Sequence, residues 1–206
     1  MSQVHSAGPH LPRQVDHIGA RLSDGTAVAL RPLVRGETAP LLGVFHGMSA
    51  HSRGLRYLNG LPDLPPRMLS LLTDVGGDRH VAWLASLEDE PVGIARYVRL
   101  SGCPTAAELA LEVVDRLHGR GLGTVLLDTI TTVAAARGIR QVHGTLAPSN
   151  TASRRLLARL GAATRPVDGL LEAEGPLRLL DPPAVDRSAL LRLLCAGCWD
   201  AGLDIG

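Results

Sequence analysis

Three glycines at alternate positions, Gly119, Gly121 and Gly123, occupy the run His118-Gly119-Arg120-Gly121-Leu122-Gly123-Thr124, between a strand-like and a helix-like stretch. Amides in such a turn are not shielded by side chains and sit at the positive end of the following helix, a geometry that holds phosphate or pyrophosphate. The same glycines would also serve a tight connection that packs strand against helix, so at this point both readings stand. A dinucleotide turn, G-x-G-x-x-G, does not fit. Thr124 takes the place of its last glycine, and no acidic residue ends a following strand about 20 residues on.

Ahead of the turn, Ala107 to Val114 alternates strictly, with Leu109, Leu111 and Val113 on one face and Glu108, Ala110 and Glu112 on the other. A carboxylate there has the chemistry of a general base, and it also has the ordinary role of a solvated strand residue. The two glutamates are four residues apart, about 13 Å at the rise of a strand, too far to share one proton. A bulge would turn Glu112 elsewhere.

Other candidate groups carry less. Cys195-Ala-Gly-Cys198 has no second pair and no following histidine, so no metal site is expected, and thiols three apart on an apolar helix read as core. His143 falls mid-strand and reads as structural. All 21 basic side chains are arginine, which excludes a Walker lysine and a pyridoxal Schiff base. With a net charge of +1 and 2% aromatic residues, neither a phosphate-tracking field nor base stacking has material, and no nucleic-acid partner is expected.

The run HGRGLGTVLL followed by APSNTASRRLLARLGA resembles the acyl-CoA-binding segment of the GNAT superfamily of N-acyltransferases. The stretches LRPLVRGE, DRHVAWLAS, PVGIARYVR and AELALEVVDRLHGRGLG are similar to bacterial protein-lysine acetyltransferases, over about residues 20 to 162. That resemblance implies a mixed α/β (α+β) fold, with a mostly antiparallel central sheet splayed at the cofactor and flanked by helices. It implies acetyl-CoA as cofactor, held by His118, Gly119, Arg120, Gly121, Leu122, Gly123 and Thr124, with Asn150 also touching it. Glu108 would be the general base, and a strand amide near Val113 or Val114 would meet the oxyanion. The family pattern departs twice here. His118 stands where arginine or glutamine is usual, and Leu157 stands where many members place a tyrosine that protonates the leaving thiolate. Unassisted departure is chemically acceptable for a thiol of pKa about 8.5. Arg96 and Tyr97 are expected, from the GNAT layout, to border the acceptor cleft. Related acetyltransferases are often fused to a cyclic-nucleotide domain, for which the remaining residues leave no room, so control by cAMP is not expected.

These groups must be positioned by an ordered framework. Residues 1–17 read as a tail, 18–180 as the transferase domain and 181–206 as a helical extension. Within the domain the expected elements are a strand around 26–31 and short helices over 37–46, 52–58 and 65–72. A hairpin over 80–100 turns at the acidic Glu88-Asp89-Glu90, and the Glu108 strand follows. After the glycine turn come a helix to Arg137, a strand over 141–146, a helix over 149–160 and a hairpin over 164–177. An apolar helix over 184–199 packs either on its own sheet or on a second subunit, giving a possible homodimer. The acceptor pocket is expected from residues 35 to 75. At 206 residues the core needs no disulfide, and three cysteines fit a reducing compartment. No apolar run reaches the roughly 20 residues of a membrane helix and no signal h-region is visible, so the expected location is cytoplasmic, without membrane contact. The acceptor is expected to be a protein lysine, with a small-molecule amine second. The rival expectation is a non-catalytic acyl-CoA-binding or interaction module.

Overall fold

The computed structural model describes residues 16–195. Among the described residues, eight strands form one sheet in the order β1-β2-β3-β4-β5-β6-β8-β7. They are β1 (Ile18–Arg21), β2 (Ala27–Pro32), β3 (His80–Leu87), β4 (Glu90–Arg99), β5 (Ala106–Val113), β6 (Gln141–Leu146), β7 (Ala163–Val167) and β8 (Leu170–Pro176). Among the described residues, six α-helices accompany them: α1 (Thr38–His46), α2 (Ala50–Tyr57), α3 (Pro66–Thr73), α4 (Leu122–Ala136), α5 (Thr151–Arg159) and α6 (Arg187–Cys195). The expected elements are present, and β1 adds an edge strand that the sequence pattern did not separate from the approach to β2. Both predicted hairpins turn where expected. Glu88 and Asp89, and likewise Asp168 and Gly169, take positive φ, as two-residue turns matched to strand twist require.

All neighbouring strands are antiparallel except β5 and β6. That parallel pair is short, joining Ala106, Ala107 and Glu108 to Gln141, Val142 and His143. Beyond Glu108 the two strands part, and the sheet opens.

Helices cover both faces. Leu122 and Leu126 of α4 press on Gly93 of β4, where a Cβ would lie 2.8 Å from Leu126. On the other face, Arg96 of β4 donates to the Leu72 carbonyl of α3 at 2.7 Å. α4 is buried nearly all round, and its Thr129 and Thr131 hydroxyls satisfy themselves on the carbonyls of Val125 and Leu127, both at 2.8 Å.

α6 lies against α4 of its own chain, with Leu190 fully buried, rather than on the sheet. The fully buried Asp128 of α4 anchors it. Its carboxylate accepts from the amides of Ala184 at 2.7 Å and Val185 at 3.1 Å, and from Arg187 Nε at 3.0 Å. Cys195 is exposed, which corrects its expected place in the core; Cys198 and Trp199 lie outside the described residues. Among the described residues no helix is long and apolar enough to cross a membrane, and no cluster of side chains could hold a metal ion.

Candidate active site

The opening between β5 and β6 is the mouth of a cleft of about 670 Å³, floored by β5 and walled by α2, the glycine turn and α5. Antiparallel pairing sets which β5 amides reach it. The Val114 amide donates to the Val92 carbonyl at 3.0 Å, and the β4–β5 register continues unbroken from Gly93–Val113 to Arg99–Ala107. Even-numbered β5 residues therefore exchange hydrogen bonds with β4, and the amides of Leu111 and Val113 point toward the opening. Of the two amides expected near the oxyanion, that of Val114 is committed to β4, whereas that of Val113 is directed into the cleft. Leu111, which sequence reasoning missed, is directed there as well.

The unbroken register also means no bulge intervenes between the two glutamates. Glu108 and Glu112 share a face, but only Glu108 is exposed and lines the cleft. Glu112 is fully buried, 3.0 Å from Nη2 of Arg56 and 3.5 Å from Nη2 of Arg96. Burial, and next the Glu112 charge, push the neighbouring Tyr57 phenol above its ordinary range. Burial pushes the Arg96 guanidinium down, and Glu112 pulls it back. Arg96 and Tyr97 do not border the cleft as expected, since both side chains are buried. Arg56 of α2 stands there instead. Met48, His51 and Leu55 join it, so the predicted 35–75 region does supply one wall, through α2. Glu88, Asp89 and Glu90 stay in their turn away from the cleft, with Glu90 paired to Arg116 at 2.6 Å.

The turn after β5 has the predicted form. Gly119 and Gly121 take φ of +73° and +93°, left-handed values that burden any residue with a Cβ. Among the described residues the amides of Gly119, Gly121, Leu122 and Gly123 donate to no backbone carbonyl, leaving donors at the start of α4. Ser23 buttresses the turn from 97 residues away. Its amide and hydroxyl donate to the Arg120 carbonyl at 3.1 and 2.8 Å, a contact no local signal announces.

Within this turn the residues divide. Gly119, Gly121, Leu122, Gly123, Thr124 and His118 line the cleft, but Arg120 does not. Its guanidinium reaches back to Asp24 at 2.5 Å and Thr26 at 2.7 Å, so its part is to brace the turn. Two Thr26 hydrogen bonds and the Arg120 guanidinium hold the Asp24 carboxyl down at about 2. His118 Nε2 lies 3.1 Å from the Val113 carbonyl, which only accepts, so that nitrogen carries the proton and caps the end of β5. The Thr124 hydroxyl accepts from Arg159 of α5 at 2.9 Å, drawing a cation to the turn. Asn150 caps α5 through Ser153 at 3.0 Å while its residue lines the cleft, so both of its expected roles are compatible. Leu157 also lines the cleft, close to Gly144. His143 stands beside Glu108 across the short parallel ladder, 3.9 Å from Glu174.

Free amides at a helix start, arginines alongside and a groove bordered by outward strand amides suit an extended ligand with a phosphorylated end. Residues 53–162 match the Acetyltransferase (GNAT) family. Acetyltransferase PA5475 of Pseudomonas aeruginosa is 29% identical over 151 residues, covering 71% of this chain and 80% of that protein. Acetyltransferase Pat of Mycolicibacterium smegmatis is 27% identical over 162 residues, covering 77% of this chain but 48% of Pat, so the chain spans about half of that relative. The crystal structure of the GNAT domain of S. lividans PAT superposes with a TM-score of 0.73 at 26% identity, covering 78% of this chain and 97% of that domain. The matched family segment contains β5, the glycine turn and α5, the elements that build the cleft, and on that ground the chain belongs to the GNAT family and is an acyltransferase.

Proposed function

We propose that the protein transfers an acetyl group from acetyl-CoA to a primary amine, preferably a protein lysine, with Glu108 as general base. The observation that carries this reading is the placing of one exposed carboxylate, Glu108, in the same cleft as the glycine turn and its unpaired amides. The fold fits the coenzyme: the amides of Gly119, Gly121, Leu122 and Gly123 would hold its pyrophosphate, Arg159 would add charge, and Asn150 would border its chain. Acetyl-CoA supplies the acyl group as a thioester.

Glu108 receives the proton that the attacking nitrogen loses as the C–N bond forms and the C–S bond breaks. The amides of Leu111 and Val113 are aimed where the carbonyl oxygen gains charge. Leu157 has no proton to give, so the departing thiolate is protonated by solvent. Preference for a protein acceptor rests on the likeness to Pat and to the GNAT domain of PAT. A small-molecule amine is the second reading, and the absence of a membrane-length helix among the described residues fits action in the cytoplasm.

The test is turnover of acetyl-CoA with lysine-containing proteins and with simple amines, using the wild-type protein and Glu108→Gln. Acetylated protein lysines, lost in the variant, are expected. Binding of acetyl-CoA without any transfer would replace this reading with that of a non-catalytic binding module.

A further inference from the structure

The cleft has an unequal charge lining. Among the described residues Glu108 is its one carboxylate, while Arg56, Arg155 and Arg159 bring cations. Arg155 and Arg159 come from α5, on the side where Arg159 bonds Thr124 of the glycine turn. Arg56 comes from α2, on the opposite wall, and a bound phosphate at the turn does not account for it.

Arg56 is held there by a charge-unbalanced cluster. Glu112 is one buried carboxylate facing two guanidiniums, at 3.0 Å from Arg56 and 3.5 Å from Arg96. Arg96 is sealed off, with a side chain 3% exposed and committed also to the Leu72 carbonyl at 2.7 Å. The Arg56 side chain is 20% exposed and faces the cleft, with its guanidinium stacked 4.9 Å over the Tyr57 ring. One Nη2 contact to Glu112 and the ring beneath fix the guanidinium without using all of its five donors. A half-buried cluster carrying one uncompensated positive charge is costly until an anion approaches it.

Resting on the acyl-transfer reading above, we infer that Arg56 is a carboxylate-recognition subsite, specifying a reactant that carries an anionic carboxylate beyond the reacting centre. The carboxylate belongs either to the acyl group of the donor thioester or to the acceptor amine. Glu112 acts through Arg56 as a positioning residue. The site departs from the acid-lined wall that a purely cationic amine would favour.

The experiment compares wild type with Arg56→Met, which leaves Arg96 and Glu112 as a balanced pair. Arg56→Lys provides a second variant that keeps the charge but loses the planar fork, and thermal melting verifies folding of both. Calorimetric titrations use CoA, acetyl-CoA and succinyl-CoA; turnover uses paired acceptors differing in a carboxylate or its amide, such as β-alanine and β-alaninamide. A preference for the carboxylate-bearing partner of roughly tenfold or more is expected, as for one charge-assisted hydrogen-bonded pair, and Arg56→Met should abolish it. Preference among the thioesters assigns the carboxylate to the acyl group, and preference among the acceptors assigns it to the amine. Equal weakening of CoA and both thioesters in Arg56→Met would put Arg56 on the coenzyme's phosphates and overturn the inference. No preference in wild type would overturn it while leaving acetyl transfer intact. Failure to bind any of the three ligands would overturn the acyl-transfer reading itself.

Discussion

Glu108 and Glu112 stand on the same face of β5, one exposed in the cleft and the other sealed against Arg56 and Arg96. Their substitution should therefore read out differently. Glu108→Gln should lower kcat on the order of a hundredfold with the melting temperature unchanged. Glu112→Gln strips the only carboxylate from two guanidiniums and should cost about 3–5 kcal/mol, lowering the melting temperature by about 10 °C. Steady-state kinetics and calorimetric melts of the two variants check this. Near-normal turnover by Glu108→Gln would remove the base assignment while leaving the fold untouched.

Gly121 permits the glycine turn in two ways. Its φ of +93° suits a residue without a Cβ, and a Cβ there would lie 3.2 Å from the Ser23 amide and hydroxyl. Gly121→Val should push Ser23 from the Arg120 carbonyl and misaim the free amides, weakening acetyl-CoA binding by tenfold or more at a stability cost of about 1–3 kcal/mol. Isothermal titration with acetyl-CoA is the check, and unchanged affinity would show that these amides hold no phosphate.

Asp128 fastens α6 from inside α4. Asp128→Ala would leave the Ala184 and Val185 amides without their acceptor and the Arg187 guanidinium with only the Leu180 carbonyl among the described residues. The expected loss is about 3 kcal/mol, with faster amide exchange in α6 before any change in the sheet. Hydrogen exchange read by mass spectrometry would see this directly. Protection of α6 equal to wild type would mean that its apolar packing, through Leu190 and Leu193, holds it without the carboxylate.

His80 links α3 to the buried cluster. Its Nδ1 lies 3.1 Å from the Asp74 carbonyl and its Nε2 3.4 Å from Arg96 Nη1. Burial first, and the Arg96 charge next, push its pKa from 6.5 down to about 4. The unfolded chain takes up this proton near pH 6.5 and the folded chain only near 4, so the contribution is complete above 6.5 and fades as pH falls toward 4. After allowance for solvent screening of a ring that is partly exposed, the loss is about 1 kcal/mol. Melting curves between pH 7 and 4.5 should be measurably flatter for His80→Gln. Parallel curves for variant and wild type would dismiss the linkage.

The local features of this protein were legible in its residues. Alternation in Ala107–Val114 put Glu108 and Glu112 on one face, and glycines at 119, 121 and 123 marked a turn with bare amides, because side-chain period and φ freedom are properties of a few consecutive residues. What those residues touch was decided elsewhere. Pairing with β4 set the parity of the β5 amides, turning those of Leu111 and Val113 toward the opening and that of Val114 onto β4. The early parting of β5 from β6 opened the cleft. Arg120 looked like part of a phosphate cradle until Asp24, 96 residues earlier, claimed its guanidinium. Glu112 looked like a twin of Glu108 until α2 and β4 brought two arginines to it, and Asp128 gave no signal at all before α6 folded back onto α4. A charged side chain takes its role from the partners the chain brings within a few ångströms, and those partners are set by the packing of distant segments rather than by spacing along the sequence.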